Sequence, residues 1–152
     1  MGSLSFRRAA FDDLAALVAL LADDPIGSGR ESAGTPLDPC YAEAFAAIDR
    51  DPNQLLVVAD RQGRAIGLLQ VSFIPGLARG GMWRGQIEGV RVAASERRSG
   101  IGQAMLEWAI EECRKRGCGM VQLTSDKRRS AAHAFYEALG FQATHEGYKL
   151  LL

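Results

Sequence analysis

Arg97, Arg98, Ser99, Gly100, Ile101, Gly102 and Gln103 stand in a row where an apolar run gives way to a helical pattern (Ile87 to Met105, IEGVRVAASERRSGIGQAM). Two guanidinium groups and two glycines in front of a helix can hold a phosphate. The first N–H groups of a helix have no internal partner and lie at the positive end of its dipole. Glycine carries no Cβ, so an anion can approach that backbone closely. The chemistry this predicts is the binding of a pyrophosphate. The Walker A pattern GxxxxGK[ST] is absent, and a dinucleotide fingerprint fails because Met105 stands where its third glycine belongs.

The rest of the composition sets the frame. The chain has 152 residues, 47% hydrophobic and 24% charged, the size and balance of one globular domain over residues 1–152. Lys plus Arg and Asp plus Glu are both 18, so the formal net charge is zero. That argues against nucleic acid or an anionic membrane as partner, since both reward a basic excess. Basic patches are local: Arg91 with Arg97 and Arg98, Arg114 to Arg116, and Lys127 to Arg129. Cys40, Cys113 and Cys118 lack CxxC spacing and the two histidines lie twelve residues apart, so neither a disulfide framework nor a metal site is expected. The first residues lack the apolar core of a signal peptide, and no apolar run is long enough to span a bilayer, so the expected setting is cytoplasmic.

The elements that must position the loop follow from periodicity. Leu4 to Arg8 reads as a short strand, and Asp12 and Asp13 open a helix whose Leu14, Leu17, Val18 and Leu21 form one stripe. Pro25 to Pro39 is a loop, and a second short helix covers Tyr41 to Asp49. Gln54 to Ala59 is a buried strand, and Asp60-Arg61-Gln62-Gly63 turns it into its partner, Arg64 to Ile74. Pro75 to Gly81 is a loop and Met82 to Val92 a strand. Gly100 to Arg116 is a helix with Glu111–Lys115 and Glu112–Arg116 pairs, stopped by Gly117. Met120 to Thr124 is a strand, Ser130 to Leu139 a helix, and Phe141 to Leu152 a terminal hairpin turned near Glu146-Gly147. The strand–helix–strand unit from Met82 to Thr124 is a parallel crossover within hairpins, an α/β (α+β) arrangement.

Arg97-x-x-Gly100-x-Gly102 resembles the [RQ]xxGxG[AG] pyrophosphate loop of the GNAT superfamily of N-acetyltransferases. Gln103 departs from its last position. Ser130 to Phe141 (SAAHAFYEALGF) resembles that superfamily's second signature, a tyrosine followed by xxLGF. The resemblance implies a mixed, mostly antiparallel sheet of six to seven strands, flanked by about four helices, with its fourth and fifth strands splayed. It implies acetyl-CoA as cosubstrate, no metal, and transfer of acetyl to a primary amine, on a small molecule or peptide, within a ternary complex. Backbone groups of Val90 and Val92 would meet the pantetheine arm, and the N–H groups from Arg98 to Gln103 the pyrophosphate. Tyr136 matches the tyrosine that protonates the departing thiolate, whose conjugate acid has a pKa of about 8.5. Glu88 is a general base acting through water, or else a carboxylate that binds a cationic acceptor or an arginine. His133 reads more readily as a packing residue than as a proton relay. The superfamily's asparagine before this helix is missing, which leaves Ser130 as its substitute. Trp83 and the loops Pro25 to Pro39 and Pro75 to Gly81 are expected around the acceptor.

The competing function is a module that senses acetyl-CoA without turnover. Glu88 and Tyr136 favour the enzyme, and no cysteine is placed for an acyl-cysteine route. A nucleic-acid-binding protein is disfavoured by the charge balance and the lack of an aromatic-rich motif. The resemblance is compatible with a homodimer, which nothing in the sequence specifies.

Overall fold

A computed structural model describes residues 2–152. Five strands form one sheet in the order β1 (Leu4–Arg8), β2 (Gln54–Arg61), β3 (Arg64–Ile74), β4 (Arg84–Val92) and β5 (Met120–Leu123). The first four pair antiparallel, and β5 joins β4 in parallel. Helices α1 (Leu14–Ala22) and α2 (Pro39–Arg50) cover one face, and α4 (Ile101–Lys115) and α5 (Ser130–Ala138) the other. A single helical turn, α3 (Ala78–Gly81), lies between β3 and β4.

Both faces being covered explains the sequence of β2. Val57 and Ala59 are buried under α4, while Leu56 and Val58 are buried under α1 and α2, so the run is apolar without alternation. Gln62 and Gly63 close the β2–β3 hairpin with φ of 55° and 78°, the left-handed pair of a tight turn. Asp38 caps α2 by accepting the Cys40 N–H at 2.9 Å, and Pro39 fits the first helical position, so α2 begins two residues before the expected Tyr41. Gly117, at φ 77°, ends α4: its N–H reaches the Arg114 carbonyl, and that of Cys118 reaches Cys113. The ion pairs on α4 are Glu111–Arg114 and Glu112–Lys115, at i,i+3 instead of the expected i,i+4.

The sheet has five strands among the described residues, against the expected six to seven, and five α-helical segments against about four, the extra one being the short turn α3. The missing strands are those of the expected terminal hairpin. Residues 142–152 form no ladder and are exposed throughout. Glu146-Gly147 has the composition of a turn, but no strand-length run precedes it that could bury a face against the run that follows. Trp83 and the 75–81 loop sit just before β4, and Trp83 lies six residues from Gly89, about 20 Å along a strand.

Candidate active site

The site begins where β4 leaves its neighbours. Leu68 pairs with Arg91 and Gln70 with Glu88, so Leu69 of β3 faces two residues of β4, Gly89 and Val90. This is a β-bulge, and Gly89 takes φ 65° to make it. On the other side, β4 and β5 pair only from Arg84–Met120 to Ile87–Leu123. Beyond Ile87, β4 runs on to Val92 with no β5 partner, which is the splay expected of the fourth and fifth strands. The bulge shifts the side-chain alternation by one residue. Val90 and Val92 therefore join Ile87 in the cluster under α4, while Arg91 turns to the α1 side.

A cleft of about 280 Å³ follows this free edge, lined by Asp24, Val90, Arg91, Val92, Arg97 and Arg129. Val90 and Val92 thus stand together with Arg97, as the sequence reading expected. Their carbonyls are already engaged: Val90 accepts from Arg91 Nη1 at 2.8 Å and Val92 from Arg97 Nε at 3.3 Å. A guest strand would use the second lone pair of each oxygen or displace a guanidinium.

The mouth of α4 adjoins this cleft. Gly100 is its N-cap with φ 81°, a left-handed conformation without a capping side chain. Arg98 also has positive φ, at 63°, so the loop turns twice before the helix. Among the described residues, the N–H groups from Arg98 to Gln103 have no protein acceptor; the first bond into the helix is from Ala104 to Gly100 at 3.0 Å. The Ser99 hydroxyl is turned back onto the Glu96 carbonyl, which leaves its own N–H outward. A Cβ on Gly102 would stand 3.6 Å from Phe135 and 3.8 Å from Val92, so the helix start and α5 close on the end of β4. Six unpaired donors at a helix start, beside Arg97 and Arg98, fit a pyrophosphate. No group of three His, Cys, Asp or Glu residues among those described could hold a metal ion.

Tyr136 lies on α5 with its ring between Phe135 and Phe141, at centroid distances of 5.3 and 6.0 Å. The ring packs as a core tyrosine would, while the hydroxyl has no hydrogen-bond partner among the described residues. Burial raises its pKa above the usual phenol value, and the charges of Arg91 and Arg129 oppose that rise. His133 donates from Nε2 to the Asp126 carbonyl at 2.9 Å, fastening α5 to the loop before it. Ser130 is exposed at the start of α5; Arg129, beside it, is the residue that lines the cleft. Glu88 projects from the opposite face of β4, level with Gln70, and has no ion pair among the described residues. Gln70 and Gly89 border a second cavity of about 160 Å³, walled by Leu17, Leu21, Phe45 and Leu68. Cys113 is buried under the sheet and its thiol is pushed up to about 12 by that burial, so it is no nucleophile.

The residue that sequence reasoning missed is Asp24. Its carboxylate is buried and bridges two arginines, accepting from Arg129 at 2.5 and 3.1 Å and from Arg91 at 2.8 Å. Two of the basic patches seen in the sequence are largely consumed this way, because Arg128 pairs with Asp126 and Arg97 with Asp23. Only the fold joins residues 105 positions apart, so no local signal marks the bridge.

The profile of the acetyltransferase (GNAT) family matches residues 12–141, spanning cleft, helix mouth and Tyr136 together. The chain belongs to that family. It is 31% identical over 105 residues to an aminoalkylphosphonate N-acetyltransferase of Salmonella typhimurium, covering 69% of this chain and 68% of that one. It is 39% identical over 84 residues to a glucosamine 6-phosphate N-acetyltransferase of Trypanosoma brucei brucei, covering 55% and 54%. A crystal structure described as a transcriptional regulator from Bacillus halodurans superposes with a TM-score of 0.97 at 45% identity, over 99% of this chain and all of the other. As a GNAT protein the chain is an acyltransferase that uses acetyl-CoA as cosubstrate.

The Arg129 hydrogen bonds, then the Ile26 N–H and the charges of Arg91 and Arg129, lower the Asp24 pKa to about 2 against the cost of burial. A depressed carboxylate pKa stabilises the fold above the unfolded value of about 3.9, and that stabilisation is lost as pH falls through the folded value. Asp24→Asn should therefore cost about 2 kcal/mol at pH 7 by urea unfolding. The gap between parent and variant should narrow between pH 4 and pH 2; a constant gap would show that the carboxylate's charge is not what matters.

Proposed function

We propose that this chain moves the acetyl group of acetyl-CoA directly to a primary amine, in a ternary complex, with Tyr136 as acid and Glu88 on the acceptor side. The observation that carries this reading is the meeting of two backbone sets: the edge of β4 at Val90 to Val92, which has no β5 strand beside it, and the unpaired N–H groups from Arg98 to Gln103 at the mouth of α4. One elongated phosphorylated molecule would satisfy both. When bound there it supplies an acetyl thioester, and every other requirement falls to the protein's own groups. Backbone N–H donors on the free edge of β4 are fixed in place before reaction, the condition under which such donors stabilise developing negative charge.

Tyr136 is held by its packed ring and, as a phenol, carries its proton at neutral pH, a state that burial favours further. A positioned, protonated phenol is suited to passing that proton to the departing sulfur. Glu88 is a carboxylate without an ion pair among the described residues, so it can receive an ammonium group and, through water, take its proton. The cavity bordered by Gln70 and Gly89 begins at the same point of β4. A benzene-sized hydrocarbon group fits an apolar space of about this volume. The acceptor we infer is an amine whose head meets Glu88 and whose hydrocarbon body enters that cavity. The three free thiols support a reducing, cytoplasmic setting.

Tyr136→Phe should lower kcat by about 100-fold, the lower range for a lost acid, and leave the KM for acetyl-CoA unchanged. Unchanged turnover, measured by release of the CoA thiol, would remove its role. Glu88→Gln should displace the pH–rate profile of kcat/KM, and a superimposable profile would exclude it as base. In a panel of acceptors, arylalkyl and alkyl amines should be turned over faster than glucosamine 6-phosphate or an aminoalkylphosphonate, the acceptors named for the two relatives. The reverse order would place the acceptor outside the apolar cavity, and acetyl-CoA binding without thiol release from any amine would favour the sensor.

A further inference from the structure

Residues 94–100 lead into the mouth of α4, yet little backbone bonding holds them down. The last bond from the end of β4 into the sheet is from the Ala93 N–H to the Ile66 carbonyl, at 2.8 Å. Past it, the Glu96 N–H turns back to Ala93 and that of Arg97 to Ala94, one turn of 3₁₀ helix. Arg98 and Gly100 then both take left-handed backbone, at φ 63° and 81°. Arg98 carries a Cβ, so this conformation is unfavourable for it and needs a hold from outside. Within residues 94–100 all but Glu96 are exposed, and the Glu96 side chain is only 13% accessible.

The Glu96 carboxylate is divided between two arginines. Its Oε2 accepts from Arg61 Nη1 at 2.6 Å and its Oε1 from Arg64 Nη2 at 3.1 Å. Arg61 ends β2, Arg64 begins β3, and the two stand opposite each other in the hairpin. That hairpin end is itself fixed. The Asp60 carboxylate accepts from the Gly63 N–H at 2.8 Å and from Arg7 at 2.8 and 3.1 Å. Arg7 in turn reaches Asp13 at the start of α1. Within the loop, the Glu96 carbonyl receives the Ser99 hydroxyl. Glu96 thus joins a fixed hairpin turn to the backbone that presents the N–H groups from Arg98 to Gln103.

Nothing in the binding of an anion calls for a carboxylate here. A negative charge two residues before the first donor opposes a pyrophosphate by Coulomb's law. Nor is this an ordinary surface pair, since both oxygens are used and the carboxylate is largely covered. Arg61 is only a quarter accessible and its Nε has no partner, so Glu96 is the group that compensates it. The other tie on the loop is Arg97, which bonds the carbonyls of Val92 and Asp23 inside the cleft, where a guest would displace it. Glu96, Arg61 and Arg64 do not line the cleft, so their contact survives its filling.

We propose that Glu96 is a positioning residue for acetyl-CoA, bracing the loop before α4 against the β2–β3 hairpin so that its N–H groups meet the pyrophosphate together. The inference rests on the reading that the pyrophosphate sits at the mouth of α4. Charge and brace predict opposite signs for one substitution. If charge alone mattered, Glu96→Gln would tighten acetyl-CoA, because it removes an anion and frees two arginines. Under the brace it weakens binding, since an amide offers one acceptor oxygen where two are used.

Calorimetry of the full chain with acetyl-CoA should give a Kd about tenfold higher for Glu96→Gln, the cost of one misplaced phosphate hydrogen bond. KM for acetyl-CoA should rise alike while kcat at saturation holds, because Tyr136 and the edge of β4 are untouched. Arg61→Gln should behave the same way. The two together should lose no more than the worse one, since a brace breaks once. Unchanged or tighter binding in Glu96→Gln overturns the proposal, as do a fall in kcat with KM unmoved and additive losses in the double variant. Loss of the parent's far-ultraviolet circular dichroism also overturns it, because Glu96 would then hold the fold and not the loop. Gly102→Val tests the underlying reading separately. Its Cβ would meet ordinary contacts, 3.6 Å from Phe135 and 3.8 Å from Val92, and its methyl groups would screen the helix mouth. If that variant binds acetyl-CoA as the parent does, the pyrophosphate lies elsewhere and both claims fall. If it loses binding while Glu96→Gln does not, only the brace falls.

Discussion

One residue too many in β4, opposite Leu69, sets the direction of nearly everything around the site. Without the bulge, β4 would continue in register, Arg91 would point under α4, and a guanidinium would be forced into the cluster of Ile87, Ile101 and Met105. With it, Val90 and Val92 fill that place and Arg91 reaches Asp24. The bulge also bends β4 away from β5 just where their pairing ends, so backbone that a continuous sheet would have consumed stays available. Site and core are therefore built by the same local defect, and neither can be relaxed alone.

The second constraint is electrostatic and comes from α4. Its first N–H groups cannot be satisfied inside the helix, and the chain here offers no capping side chain, since Gly100 occupies the cap. Most helices resolve this with a serine or aspartate. Here the donors stay open and two arginines stand close by, an arrangement suited to an external anion.

Much of this was readable in the residues. The glycines and arginines before α4, the apolar run of β2, the stop at Gly117 and the placement of Tyr136 on α5 all follow from rules of local spacing, and the folded chain has them where those rules put them. What local rules did not reach are relations across the fold. The Asp24 bridge to Arg91 and Arg129 depends on β4 turning its alternation, which no pattern within a single strand reveals. The terminal hairpin was read from the turn-forming pair Glu146-Gly147, but a hairpin needs two strands with a surface to bury, and residues 142–147 supply no such face. The role of Ser130 was inferred by position alone, and it is Arg129 that faces the cleft.

The carboxylate of Asp24 joins parts of the molecule that the sheet otherwise keeps separate. It follows α1 on one face, and through Arg129 it holds the turn that leads into α5 on the other. The segment after α1 and the turn before the helix bearing Tyr136 thus share one anchor, a single buried negative charge that ties the two faces together.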